Sequence, residues 1–250
     1  MTDIILSGCC GNMGKVITAL CQEDETIQIV AGVDSFDCGK MPYPVYPAFE
    51  RIAQKADVII DFSNPSVLES MLEFAKSTQT PVVIATTGYD EKQLQMIQTA
   101  AKDIAIFFTF NMSLGINLMC ALAKTATKVL GNSFDIEIIE KHHNQKIDAP
   151  SGTAIMLANA ISEELEQKPL YEYDRHSKRA KRSKNEIGIH SVRGGTIVGE
   201  HEVIFAGTDE VVSVKHQAMS KKVFAVGAIN AAKFLTEKHS GMFSMEDIIK

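Results

Sequence analysis

Short apolar runs alternate with helical periodicities through the first hundred or so residues, and that alternation admits few folds. A short apolar run between turn residues reads as a buried strand, and an amphipathic stretch between two such runs reads as a crossover helix. The pattern therefore predicts βα units on a parallel sheet. Strands are expected at Ile4–Ser7, Ile27–Val33, Val58–Phe62, Val82–Thr86 and Ala105–Phe110, with helices at Met13–Gln22, Ser66–Ser77 and Glu91–Lys102. From Cys38 to Pro47 the prolines 42, 44 and 47 and the lack of periodicity predict an irregular connection where a regular doubly wound fold carries a helix.

After Asn111 the pattern changes. A long helix (Ser113–Leu130), a strand (Phe134–Glu140) and a helix from Gly152 to Glu166 are followed by strand-like runs within Glu186–Gln217. Those runs are punctuated by Arg193-Gly194-Gly195 and Gly207-Thr208-Asp209, which predicts antiparallel pairing through short connections. A last helix, Lys221–Lys238, and the tail Ser244–Ile249 are expected to pack back on the first domain. The fold class is thus α/β. A Rossmann-like parallel-sheet domain takes residues 1–112 and 221–250, and a smaller α+β domain with a mixed, largely antiparallel sheet takes 113–220.

Composition excludes several classes. The net charge is −6, which argues against general affinity for nucleic acid or an anionic membrane surface. No apolar run approaches the roughly 20 residues of a membrane helix, and the chain enters a strand pattern without a basic leader, so a cytoplasmic protein is expected. Cys9, Cys10, Cys21, Cys38 and Cys120 show no CxxC spacing and no histidine partner pattern, so reduced cysteines and no metal site are expected. The basic run Arg175–Lys184 reads either as a solvated loop or as an attractor of anionic substrate and cofactor.

The stretch ILSGCCGNMGK sets Gly8, Gly11 and Gly14 between the first strand and the first helix. Such a turn allows a pyrophosphate to approach the backbone at a helix N-terminus, though by itself it is also a plain tight turn. Asp34 closes the second strand, where a carboxylate accepts hydrogen bonds from an adenosine ribose or merely caps a loop. Its charge would repel a 2′-phosphate, and neither Ser35 nor Phe36 is cationic, which favours NADH over NADPH; Lys15 or Lys40 would act the other way. Two strand ends, Ala85-Thr86-Thr87-Gly88 and Thr109-Phe110-Asn111-Met112-Ser113, are placed to line a nicotinamide, or are ordinary turns with Asp90 and Ser113 as N-caps.

The densest chemistry lies in EKHHNQKIDAPSGTA, from Glu140 to Ala154. Ser151 is a natural N-cap, Gly152 permits close approach of a ligand, and Thr153 adds a hydroxyl at the positive end of the helix, a setting for a carboxylate or phosphate. Just before it, His142, His143 and Lys146 supply groups that titrate near neutrality or carry fixed positive charge, the requirements of proton delivery to a bound anion.

With IATTG, FNMSLG, IGIHSVRGGTIVGEHEV and the closing GMFSMEDII, the whole chain resembles the 4-hydroxy-tetrahydrodipicolinate reductase (dihydrodipicolinate reductase) family of diaminopimelate and lysine biosynthesis. The resemblance implies an NADH- or NADPH-dependent oxidoreductase acting on a small dicarboxylate imine, and a homotetramer joined through the second-domain sheet. It implies His142 as proton donor, Lys146 as catalytic lysine, and His143, Gly152 and Thr153 as substrate contacts. Cofactor contacts fall on Gly8, Cys9, Cys10, Gly11, Asn12 and Met13, on Asp34, on Ala85, Thr86 and Thr87, and on Thr109, Phe110, Asn111 and Met112. Cys10 and Ala85 replace frequent glycines of the family, Asn12 a basic residue, Ser35 an arginine, and Asn144 and Gln145 an arginine and a histidine. An aspartate-type amino or imino acid dehydrogenase and a non-catalytic NAD(H)-sensing module are the rival readings.

Overall fold

The computed structural model describes residues 1–36, 39–109 and 111–249, in two compact units: Met1–Ser113 with the segment from Lys221 onward, and Leu114–Ser220. The first unit opens with β1 (Thr2–Ser7), α1 (Asn12–Glu23), β2 (Ile27–Val33), β3 (Val45–Tyr46), β4 (Val58–Asp61), α2 (Leu68–Thr78), β5 (Val82–Ile84), α3 (Glu91–Ala100) and β6 (Ala105–Phe108). The second comprises α4 (Leu114–Leu130), β7 (Asp135–His142), α5 (Gly152–Ser162), β8 (Leu170–Glu172), β9 (Glu186–Arg193), β10 (Gly199–Ala206) and β11 (Val211–Ala218). The chain then returns to the first unit as α6 (Lys222–Leu235), β12 (Gly241–Phe243) and α7 (Met245–Ile249).

The first unit carries the expected parallel sheet, in the order β12-β6-β5-β4-β1-β2-β3 with every neighbouring pair parallel. Its central strands β4 and β5 are buried along their whole length, as continuous apolar runs must be when both faces of a sheet are covered. One face is covered by α6, whose Ala225, Ala228, Ala231 and Ala232 are fully buried and let the helix lie close to the strands. At Gly227 a Cβ would sit 1.7 Å from the Met112 carbonyl oxygen, so this approach tolerates no side chain. Because the strands are parallel, the carboxyl ends of β1, β2, β4, β5 and β6 fall along one edge, where ligands of open α/β sheets bind. The edge strands β3 and β12 were not expected, being too short for alternation to register. Among the described residues between β2 and β3 there is no helix.

The second unit is a five-stranded mixed sheet in the order β11-β10-β7-β9-β8. Only β10 makes antiparallel pairs, with β11 and β7; β7–β9 and β8–β9 are parallel. The sheet is therefore less antiparallel than the turn signals indicated, and β9 and β10 form no hairpin. The cause is α5, a crossover that carries the chain from β7 back to β9 in parallel and leaves β7 between β9 and β10. Strand β7 also runs beyond the expected end at Glu140 as far as His142, and strict alternation buries Ile136, Ile138, Glu140 and His142 on one side. Helix α5 stops at Ser162, short of the expected Glu166.

The basic run is tied to this sheet. Arg182 donates to the carboxylates of Glu137 and Asp135, each at 3.0 Å, and to the carbonyls of Ile136 (2.9 Å) and Glu186 (2.7 Å), while Arg175 pairs with Glu186 and Lys178 with Glu172. Much of the run's charge is thus spent locally, which neither reading of it foresaw. No helix among the described residues is long and apolar enough to cross a membrane.

Candidate active site

The second-unit site grows from the end of β7. Pairing with β9 sets His142 opposite Arg193, and pairing with β10 sets Glu140 opposite His201, so four chemistry-bearing side chains meet at one place in the sheet. Glu140 is wholly buried and is the hub. The His142 ring Nδ1 lies 2.6 Å from its Oε2, the Arg193 guanidinium donates to both its oxygens at 2.8 and 2.7 Å, and the Ser151 backbone N–H donates to Oε1 at 3.1 Å. Burial alone would raise this carboxyl, but the hydrogen bonds from His142 and Arg193 hold it well below the usual carboxylate range.

Ser151 joins this hub to α5. Its Oγ accepts from the Ala154 N–H at 3.2 Å as the helix N-cap and lies 3.0 Å from Nε2 of His201. Burial, then the neighbouring His142, push His201 down to about 4, so it is a neutral imidazole at physiological pH. The first turn of α5 holds no acidic residue. A Cβ built on Gly152 meets nothing within 4 Å, which leaves the helix start open to a ligand. In the loop, Lys146 Nζ lies 2.9 Å from Asp148 Oδ1. Against the opposing effect of burial, Lys146 and the Gly152 backbone N–H hold the Asp148 carboxyl below its ordinary range. An internal carboxylate therefore already takes two of the donors that the sequence reserves for substrate. Half-buried His143 lies between His142 and this turn, with its carbonyl accepting from the Lys146 N–H at 3.2 Å.

The first-unit site lies at the carboxyl edge of the parallel sheet. Gly8 has φ +77°, and a Cβ there would be 2.4 Å from the Phe62 carbonyl oxygen; at Gly14 one would be 2.4 Å from the Gly8 oxygen. Both glycines are demanded by packing. Gly11, the N-cap of α1, is different: a Cβ meets only the Gly8 oxygen at 3.3 Å, no side chain caps the helix, and its first turn has no acidic residue. Open backbone at a bare helix N-terminus suits the pyrophosphate of a dinucleotide. Asp34 accepts from the N–H of Cys10 (3.0 Å) and of Phe36 (3.1 Å), which ties the end of β2 to the glycine turn. Beside it opens a cleft lined by Asp34, Ser35, Phe36, Lys40, Tyr43 and Tyr46, which offers a carboxylate, hydroxyls, a cation and aromatic rings together.

Two models of one family match the chain, dihydrodipicolinate reductase N-terminus over residues 2–112 and dihydrodipicolinate reductase C-terminus over 115–249. The chain belongs to the dihydrodipicolinate reductase family. The 4-hydroxy-tetrahydrodipicolinate reductase of Caldanaerobacter subterraneus subsp. tengcongensis is 50% identical, covering 100% of this chain and 99% of its own. That of Clostridium novyi is 46% identical with the same coverage. Among solved structures, the dipicolinate-bound dihydrodipicolinate reductase of Paenisporosarcina sp. TG-14 aligns with a TM-score of 0.82 at 26% identity over 99% of both chains.

As a dihydrodipicolinate reductase family member, this chain brings His142, His143, Lys146, Gly152 and Thr153 into one strand-loop-helix segment. Gly8, Cys9, Cys10, Gly11, Asn12, Met13 and Asp34 gather at the glycine turn, with Ala85, Thr86 and Thr87 beyond β5 and Thr109 and Asn111 beyond its neighbour β6. Met112 is 3% exposed, with its carbonyl against α6, so its side chain belongs to packing. Phe110 lies outside the described residues. Cys9, Cys21 and Cys120 carry thiols, but Cys10 is disulfide-bonded, contrary to the expectation of reduced cysteines. Cys9, Cys10 and Asp34 also bring potential metal-ligand atoms within 4.8 Å of one another, but a sulfur in a disulfide is no thiolate.

Glu140, His201 and Asp61 were not assigned from sequence. Asp61 ends β4 fully buried, bonded to the Ser63 hydroxyl, and burial pushes its carboxyl up against hydrogen bonds from Ser63 and Thr86. An acidic residue closing the apolar run VIID was the available signal; for Glu140 it was its even spacing from His142 on a strand.

Proposed function

We propose that this chain is an NAD(P)H-dependent reductase that converts 4-hydroxy-tetrahydrodipicolinate to tetrahydrodipicolinate with loss of water, in diaminopimelate and lysine biosynthesis. Beyond the relatives' shared activity, one observation carries the reading: the buried His142–Glu140 pair ends β7 in the same segment as Lys146 and the open start of α5. A proton donor and an anion cradle are thereby built from contiguous chain. The first unit is the dinucleotide-binding domain, and the second binds substrate.

One ring carboxylate is held by the backbone N–H groups of Gly152 and Thr153, with His143 and Lys146 beside it; Asp148 yields its share of these donors as substrate enters. The glycine turn would hold the pyrophosphate of the reduced dinucleotide and the segments after β5 and β6 its nicotinamide, which would supply the hydride that C4 of the dehydrated imine receives. The resulting enamine needs a proton, and His142 gives it, a contribution of roughly 10²–10⁴-fold in rate. Lys146 offsets the negative charge that develops on the ring as it is reduced.

Asp34 with Ser35 favours NADH, while Lys40 in the same cleft works toward NADPH. The test is the initial rate with each nucleotide, on substrate generated in situ from pyruvate and aspartate semialdehyde. Faster turnover with NADH supports both the reaction and the role of Asp34. Faster turnover with NADPH keeps the reaction and assigns the phosphate to Lys40 or Lys15, and no turnover with either overturns the function. A homotetramer in the cytoplasm completes the reading, its assembly supported by the exposed apolar side chains Val211 and Val212 on β11 and Leu118, Leu122 and Val129 on α4.

A further inference from the structure

We propose that Glu140 is the positioning residue of this reaction, a buried carboxylate that holds the Nδ1–H of His142 and thereby reserves Nε2 as the nitrogen that gives and regains the transferred proton. The proposal rests on His142 being the proton donor. A neutral imidazole has a single N–H, and an ionised carboxylate only accepts. At 2.6 Å from Glu140 Oε2, the ring nitrogen must be the one that carries the hydrogen. Glu140 cannot become the donor in that pair, because its other partners also donate: both arms of Arg193, the Ser151 N–H and the Ser191 hydroxyl. When Nε2 loses its proton, the ring is left with hydrogen on Nδ1, ready to be recharged at the same nitrogen.

The surroundings act to the same end. A Cβ at position 199 would stand 3.2 Å from Nε2, so Gly199 keeps that nitrogen uncrowded. The second imidazole, His201, lies edge-on at a centroid distance of 5.2 Å with its Nε2 engaged by Ser151 Oγ, and so does not compete for the Glu140 carboxylate. Ser151 gives its backbone N–H to Glu140 and its hydroxyl to the cap of α5, which fixes the proton donor relative to the anion-binding helix start. Sequence offers only the even spacing of Glu140 and His142, since Glu140 is an acid on a strand until the sheet buries it.

The test uses ¹⁵N-histidine NMR on the whole protein at a pH where the His142 ring is neutral, with steady-state kinetics on Glu140→Gln, Glu140→Asp and His142→Asn. Expected are a wild-type His142 protonated on Nδ1 and loss of that tautomer preference in Glu140→Gln. With it kcat should fall by roughly 10²–10⁴-fold while KM changes little, and Glu140→Asp should recover part of the loss. Neutral wild-type His142 with its proton on Nε2 overturns the proposal, and this holds even if the Gln variant does not fold. An inactive His142→Asn beside a fully active Glu140→Gln also overturns it while sparing the donor. Wild-type kcat in His142→Asn instead refutes the donor assignment itself.

Discussion

Asp148 accepts from Lys146 at 2.9 Å and from the Gly152 N–H, the donors proposed for a substrate carboxylate, so on that proposal substrate binding is an exchange of one carboxylate for another. An exposed pair of this kind is worth at most about 1 kcal/mol, so Asp148→Asn should lower KM by up to about fivefold with kcat little changed. An unchanged or raised KM would show that Asp148 orders the loop instead of competing for it. His201 makes a separate prediction. Its pKa falls from the ordinary 6.5 to about 4 on folding, because burial favours the neutral ring. The stability this contributes is complete above pH 6.5 and is lost as pH falls toward 4, about 3 kcal/mol in all. Urea melts across that window should show the decline, and His201→Gln should flatten it. His142, His143 and Lys146 were legible because their chemistry and proximity are local in the chain. Glu140 showed only as an acid evenly spaced from His142, and His201 not at all, because its place beside them comes from the pairing of β10 with β7, which no spacing encodes.

Among the elements, α5 ties stability to the site most directly. Ser151→Ala removes the cap bond to Ala154 and the partner of His201, so unfolding free energy should fall by about 1–2 kcal/mol in a denaturant titration. Loss of less than a few tenths would mean that water replaces the hydroxyl at both partners. The parallel sheet of the first unit was readable from its buried runs, since β4 and β5 carry little but apolar residues. Strands β3, β8 and β12, of two or three residues each, are too short to show any period. The pairing of β9 departs from the antiparallel expectation for another reason: Gly194 and Gly195 look like a hairpin turn. Their backbone instead closes on the end of β7, Gly194 N–H donating to the His142 carbonyl at 2.9 Å and the Gly195 carbonyl accepting from the Asn144 N–H at 3.2 Å. A glycine pair marks a bend, and only tertiary pairing decides what the bend serves.

At the scale of the molecule, the second unit is an insertion, and the first is completed by chain that follows it. Helix α6 supplies the buried Ala225, Ala228, Ile229, Ala231, Ala232 and Leu235, and β12 covers the edge of β6. A chain cut after Ser220 should therefore expose the face of the parallel sheet that α6 covers. It should bind an apolar dye strongly and fail to retain a dinucleotide in equilibrium dialysis; full nucleotide affinity in the cut chain would show that α6 is dispensable. Time of synthesis gives the same architecture another meaning. A ribosome releases residues 114–220 before 221–249, so the inserted unit has all its strands in hand while the unit that precedes it still lacks a helix and an edge. Domains commonly mature in the order in which they emerge. Here the segment from residue 221 closes a unit begun before the inserted one was made, and the nascent chain must keep an open sheet from aggregating until it does.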